Sequence, residues 1–160
     1  MILNLSFVDS CSVSALLATV AKEYQSHAVE KGLTLSVQRG DTVEPEARLD
    51  IHRLIALLRL LVDNAIKFTE QGEVTLGFEH DEVNQRVTVT VHDTGEPIPA
   101  DVHDKVFEDF YQVETVMHHS HEGVGLGLTM AKMLVVKMHG EIGILPGGEG
   151  NTFYVTLPYN

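Results

Sequence analysis

Asp50-Ile51-His52-Arg53-Leu54-Ile55-Ala56-Leu57-Leu58-Arg59-Leu60-Leu61-Val62-Asp63-Asn64-Ala65-Ile66-Lys67-Phe68 reads as one long helix. Asp50 suits the N-cap, because a short carboxylate accepts from the first free backbone N–H groups. Apolar residues recur at Ile51, Leu54, Ile55, Leu58, Leu61, Val62 and Ala65, the stripe of a helix that buries one face. Upstream, residues 2–7 alternate apolar and polar as a short strand, and residues 13–31 carry a second helical stripe that Gly32 stops. Leu33, Leu35 and Val37 alternate as another strand, and residues 40–47, polar with Pro45 among them, read as a loop. Downstream, strands over 73–79 and 86–92 join through the polar turn 80–85 as in a hairpin. A helix over about 126–138, closed by His139-Gly140, precedes strands over 141–145 and 152–157, which flank a glycine-rich turn. Helices and strands are interspersed without regular βαβ alternation, so a two-layer α/β sandwich is expected rather than a doubly wound sheet.

The 160 residues make one domain, and 44% apolar content is enough for a buried core. Eleven basic against 23 acidic residues leave a net charge of −12. So acidic a chain is unsuited to sequence-independent binding of nucleic acid or anionic membrane. Cys11 is the single cysteine, which excludes an internal disulfide and points to a reducing, cytoplasmic setting. Met1 is followed by Ile2-Leu3-Asn4 without basic residues, so no secretory leader is expected. The longest apolar stretch, 54–62, is broken by Arg59 and too short to span a bilayer.

Three places carry chemistry, and each has an ordinary alternative. Asn64 and Lys67 lie three apart on neighbouring parts of one helical face, a carboxamide suited to Mg²⁺ and an ammonium suited to phosphate. They would equally make an exposed helix corner. Asp93-Thr94-Gly95 closes a strand with an acceptor-only carboxylate and a residue that lets backbone or ligand come close. It also fits a plain turn. Gly123-Val124-Gly125-Leu126-Gly127-Leu128 enters the last helix with alternating glycines, a spacing that exposes N–H groups to a phosphate at a helix N-terminus. A hinge without ligand would read the same. Residues 93–127 show little periodicity, and a segment that long in a compact domain is usually functional or disordered.

Taken in order, these stretches resemble the ATP-binding catalytic domain of bacterial sensor histidine kinases, within the ATPase superfamily shared with gyrase, the large heat-shock chaperone and mismatch-repair ATPases. Leu61-Val62-Asp63-Asn64-Ala65-Ile66-Lys67-Phe68-Thr69 is similar to the family's N box, and Asp93-Thr94-Gly95-Glu96-Pro97-Ile98-Pro99 to its first glycine box. Val106-Phe107-Glu108-Asp109-Phe110 resembles the F box, and Gly123 to Leu128 the second glycine box. Gly148-Glu149-Gly150-Asn151-Thr152-Phe153 with Leu157-Pro158 resembles the closing strand, and Lys31-Gly32-Leu33-Thr34-Leu35 resembles the "KGL" step of hybrid-type kinases.

The resemblance covers the whole chain and implies a mixed sheet packed on three main helices in the two-layer histidine-kinase ATPase (Bergerat) arrangement. It implies that Asn64 ligates Mg²⁺, that Lys67 sits near the phosphates, and that Asp93 accepts from the adenine amine. Thr152 would assist through a water, and Gly95 would let the ring approach. Gly123, Gly125 and Gly127 would wrap the triphosphate, with Ile98, Phe110, Val124, Leu126 and Leu128 completing the nucleotide-binding set. Residues 111–125 would be the ATP lid, anchored at its near end by Phe107 and Phe110.

By the same analogy the reaction is transfer of the ATP γ-phosphoryl group to a histidine on a separate dimerisation domain of the same or a partner kinase. A response-regulator receiver domain follows indirectly, and the location is cytoplasmic, free or as part of a membrane-anchored sensor. None of the nine histidines has a phosphoacceptor context, so the acceptor lies elsewhere. Two positions depart from the pattern: Leu60 stands where relatives carry Asn, Glu or Asp, and Pro97 where they carry the second glycine of the first box. These departures keep open a degenerate domain of the same fold that regulates a partner kinase. His118-His119-Ser120-His121, with His103, reads as solvated lid residues rather than a metal centre.

Overall fold

The computed structural model describes residues 8–38, 47–108 and 124–159. In chain order these form β1 (Val8–Cys11), α1 (Val13–Glu30), β2 (Thr34–Val37), β3 (Ala47–Asp50), α2 (Ile51–Phe68), β4 (Glu73–Asp81) and β5 (Arg86–Asp93). Two 3₁₀ turns, Ala100–Val102 and Lys105–Phe107, precede α3 (Val124–Lys137), β6 (Glu141–Ile144) and β7 (Asn151–Pro158). A five-stranded sheet runs in the order β2-β4-β5-β7-β6, with β2 parallel to β4 and the other neighbours antiparallel. A separate two-stranded ribbon pairs β1 with β3.

The three helices cover one face of the sheet, α2 in the middle against β4 and β5, α1 towards β2 and α3 towards β6. Strand alternation sends Val74, Leu76, Val87, Val89, Val91, Phe153, Val155 and Leu157 into the core. Leu17 and Val20 of α1, Leu54, Leu57, Leu58 and Leu61 of α2, and Leu128 and Val135 of α3 meet them there. Leu57 is fully buried although it lies off the apolar stripe read from the sequence. The central helix packs on the sheet and on both neighbours, which widens its buried face. Among the described residues no helix is long and apolar enough to cross a membrane.

Local chemistry sets the helix limits. The Asp50 carboxylate accepts from the Arg53 N–H at 3.1 Å, as its N-cap position predicts. At the end of α1 Gly32 takes φ +78°, and Leu33 N–H bonds back to the Ala28 carbonyl at 2.8 Å. The end of α3 uses His139 for the left-handed residue (φ +59°). Gly140 is bare for another reason: a Cβ there would stand 2.5 Å from the Thr156 carbonyl of β7.

Two expectations shift, and a third falls outside the described residues. The first described strand is 8–11, and residues 2–7 lie outside the described residues. A strand, β3, begins on Ala47, the last residue of the expected loop, and runs to the Asp50 cap; it forms by pairing with β1, a segment distant in the chain. α3 begins at Val124 rather than near Leu126, so Gly125 and Gly127 belong to its first turn instead of preceding it.

Candidate functional site

β5 ends at Asp93 on the face that the helices cover, and the side chain is 1% exposed. Its Oδ1 accepts from the Gly95 N–H at 2.9 Å and from Asn151 Nδ2 at 3.1 Å. Its Oδ2 is buried with no hydrogen-bond partner among the described residues. A buried carboxylate oxygen left without a donor is costly, which makes Asp93 Oδ2 a candidate acceptor for a ligand. Burial raises the Asp93 pKa above the ordinary carboxylate value, against the lowering effect of the Gly95 and Asn151 donors.

Gly95 closes the gap between this loop and α2. A Cβ there would stand 2.6 Å from the Phe68 carbonyl and 3.1 Å from Asp93 Oδ1, so only a bare α-carbon allows the approach. Asn64 lies one turn before Phe68 on the same helical face and is buried. The Phe68–Gly95 contact thus sets the last turn of α2 against the loop that follows Asp93, with Asn64 one turn further back along the helix. Lys67 turns to its own helix, with Nζ 3.0 Å from Asp63 Oδ2, and is half exposed.

Asn151 is the residue that sequence reasoning missed. It is 4% exposed and pairs with Asp93 across the β5–β7 ladder. Besides Asp93, its Nδ2 donates to the Glu96 carbonyl at 3.0 Å, and its Oδ1 accepts from the Ile98 N–H at 2.7 Å. It thus brackets Pro97, the residue that has no N–H of its own. Pro97 is exposed, and the path of the loop is held by its two neighbours. Ile98 is buried, with His103 Nε2 at 2.8 Å from its carbonyl. Gly150, at φ +69°, keeps the chain next to Asn151 clear of Asp93, whose carbonyl a Cβ would meet at 1.9 Å.

Thr152 is not brought to this site. It pairs with His92 on the opposite face of the sheet, where its Oγ1 lies 2.7 Å from His92 Nδ1. Neighbours in a strand point to opposite faces, so a shift of one residue, to Asn151, exchanges the outer face for the inner one.

Leu128 is fully buried in the core beneath α3. Gly127 has open space where a Cβ would sit, so no described neighbour demands a glycine there. Val124, Gly125 and Leu126 form the first turn of α3. Thr129 Oγ1 donates to the Glu108 carbonyl at 3.0 Å, which ties α3 to the preceding 3₁₀ turn. Phe107 stands edge-on to Phe153, ring centroids 6.1 Å apart. Phe110, Gly123, most of the expected lid, and His118, His119 and His121 lie outside the described residues. Leu60 lines an apolar groove of about 410 Å³ between α2 and α3 with Ala56, Met130, Met133 and Leu134.

The family described as "Histidine kinase-, DNA gyrase B-, and HSP90-like ATPase" matches residues 49–160. Autoinducer 2 sensor kinase/phosphatase LuxQ of Vibrio parahaemolyticus is 35% identical over 158 residues, 96% of this chain and 18% of that protein. Sensory/regulatory protein RpfC of Xanthomonas campestris pv. campestris is 35% identical over 154 residues, 92% of this chain and 21% of that protein. The chain thus spans about a fifth of the length of these relatives. Among solved structures, full-length ShkA in complex with AMPPNP superposes with a TM-score of 0.85 at 29% identity, over 97% of this chain and 32% of that one. The catalytic domain of histidine kinase ThkA shares the fold, with a TM-score of 0.75 at 24% identity over 95% of each chain.

Proposed function

The chain belongs to the histidine kinase-, DNA gyrase B- and HSP90-like ATPase family, and from that premise we propose that it is the nucleotide-binding catalytic domain of a two-component sensor histidine kinase. Its reaction is transfer of the ATP γ-phosphoryl group to a histidine on a separate dimerisation domain. One observation carries the nucleotide half of this reading: the buried Asp93 Oδ2 that lacks a donor. An ionised carboxylate only accepts, and the exocyclic amine of adenine supplies the missing N–H.

The other residues take roles around that anchor. Gly95, packed bare against the Phe68 carbonyl, holds its N–H on the carboxylate, and Ile98 would add apolar surface next to it. Asn64 would hold Mg²⁺, an ion that usually takes one or two protein oxygens and completes its shell with phosphate oxygens and water. Once bound, the ion neutralises phosphate charge. Lys67 would add a point charge on the same helix, and the N–H groups of Gly125 and Gly127 would face the phosphates at the positive end of α3.

Phosphoryl transfer asks mainly for positioning and charge neutralisation, which suits a site that supplies no nucleophile of its own. The histidine would come from the dimerisation domain, with a receiver domain taking the phosphoryl group onward, in the cytoplasm. Met130, Met133 and Val136 stand 52–59% exposed along α3, an apolar strip suited to a helical partner. The degenerate alternative gains no support from Pro97, because Asn151 holds the loop on both sides of it.

Calorimetric titration of the chain with ATP, with and without Mg²⁺, tests the reading. Saturable binding that tightens with Mg²⁺ is expected, followed by acid-labile label on a histidine-bearing dimerisation domain when γ-labelled ATP is supplied. Absence of any nucleotide binding would overturn it.

A further inference from the structure

Lys31 closes α1, and its N–H bonds back to the carbonyls of His27 and Ala28 at 3.3 and 3.1 Å. Its side chain reaches across to another helix. Nζ donates to the carbonyls of Ile66 at 2.7 Å and Lys67 at 2.9 Å, and stands 3.9 Å from Glu70 Oε1. A helix leaves its last four carbonyls without partners inside the helix. In α2 the Ala65 carbonyl takes the Thr69 N–H and Oγ1, at 3.1 and 2.7 Å. Those of Ile66 and Lys67 go to Lys31, and that of Phe68 rests against Gly95. Lys67, the cation in the last turn of α2 itself, is held by Asp63. The C-terminal turn of α2 is therefore gripped on one side by Lys31 and leans with the other on the loop that carries Asp93.

We infer that Lys31 is a positioning residue for the nucleotide: by fixing the last turn of α2 it sets both the Phe68–Gly95 contact and the placement of Asn64 one turn earlier. An ammonium on two carbonyls at the negative end of a helix is a charge-assisted contact that no neutral side chain reproduces. Without it the turn satisfies those carbonyls with water and frays, and the surface beside Asp93 loses its support. The inference rests on the nucleotide reading of the site, but its structural half does not.

The test compares Lys31→Met and Lys31→Arg with Val87→Ala, a core truncation six residues along β5 from Asp93. Amide hydrogen exchange is followed in the ligand-free chain, and affinity for ADP with Mg²⁺ is measured by calorimetry. Lys31→Met is expected to speed exchange at Gly95 and Thr69 about tenfold beyond the Val87→Ala variant corrected to equal Tm, and to weaken ADP binding about tenfold. Lys31→Arg, which keeps donors for both carbonyls, is expected to recover most of both losses. If Lys31→Met tracks Val87→Ala in exchange and affinity at equal Tm, Lys31 serves stability alone and the inference falls. If the unaltered chain binds no ADP while the exchange response appears, the nucleotide reading falls and the positioning of α2 by Lys31 stands.

Discussion

Asn151 donates to Oδ1 of Asp93 at 3.1 Å and so holds the carboxylate with its second oxygen, Oδ2, free of any donor among the described residues. The Gly95 N–H bonds to the same Oδ1 at 2.9 Å. Two donors on one oxygen fix the rotamer and leave the other oxygen as an acceptor. A nucleotide bound as proposed would meet a carboxylate already oriented, which would spare the binding step the cost of ordering it.

Asp93→Asn keeps a carbonyl oxygen for Gly95 and Asn151 but turns an NH₂ towards the ligand. Loss of a charged acceptor should weaken ATP binding by about 1.5–3 kcal/mol, roughly 10- to 150-fold. Thermal stability should hold or rise, because a buried charge has been removed. Calorimetry and thermal melting on the same preparation check both halves.

The pH dependence has a definite sign. Burial raises the Asp93 pKa in the fold, so the folded chain keeps its proton to higher pH than the unfolded chain does. Its contribution to stability is full below the ordinary value of 3.8 and is lost as pH rises through the folded value. Adenine needs the ionised form, so nucleotide affinity should climb over the same range and then level off. Affinities measured in a series of buffers should show this climb in the native chain and a weaker dependence in Asp93→Asn.

Asn151→Ala and Thr152→Ala separate two adjacent residues. The first strands the buried Ile98 N–H and frees Asp93, and it should destabilise the chain by about 2–4 kcal/mol with a marked loss of nucleotide affinity. The second removes a half-buried hydroxyl on the far face and should cost under about 1 kcal/mol, with affinity unchanged within twofold. Urea denaturation and calorimetry would show the contrast; equal effects would mean that the face assignment is wrong.

Pro97→Gly should not improve binding. The flanking Glu96 carbonyl and Ile98 N–H are already held by Asn151, so a flexible residue between them adds only entropy to the unfolded chain. A loss of about 0.4–1 kcal/mol in stability is expected, with nucleotide affinity no tighter than before. A several-fold gain in affinity would show that the proline obstructs the site.

Much of the fold was written locally. The Asp50 cap, the stripe of α2, the hairpin of β4 and β5 and the glycine that stops α1 all depend on residues within a few positions of one another. That is the range over which backbone geometry makes side chains neighbours. The ordered N, glycine and closing-strand stretches named the family for the same reason, since each is a short string with a fixed spacing. β1 and β3 escaped because each is paired with the other, a contact between segments distant in the chain, and Leu57 because its burial comes from the sheet and both neighbouring helices.

What the sequence by itself determined about this protein was most of its elements, its family and the candidate roles of Asn64, Asp93 and Gly95. The tertiary structure decided that Asn151 rather than Thr152 meets Asp93, that Lys31 grips the end of α2, and that Leu60 lines an apolar groove. Each of these depends on a pairing between segments distant in the chain. A register between β5 and β7 fixes which face a residue occupies, and a one-residue shift reverses it.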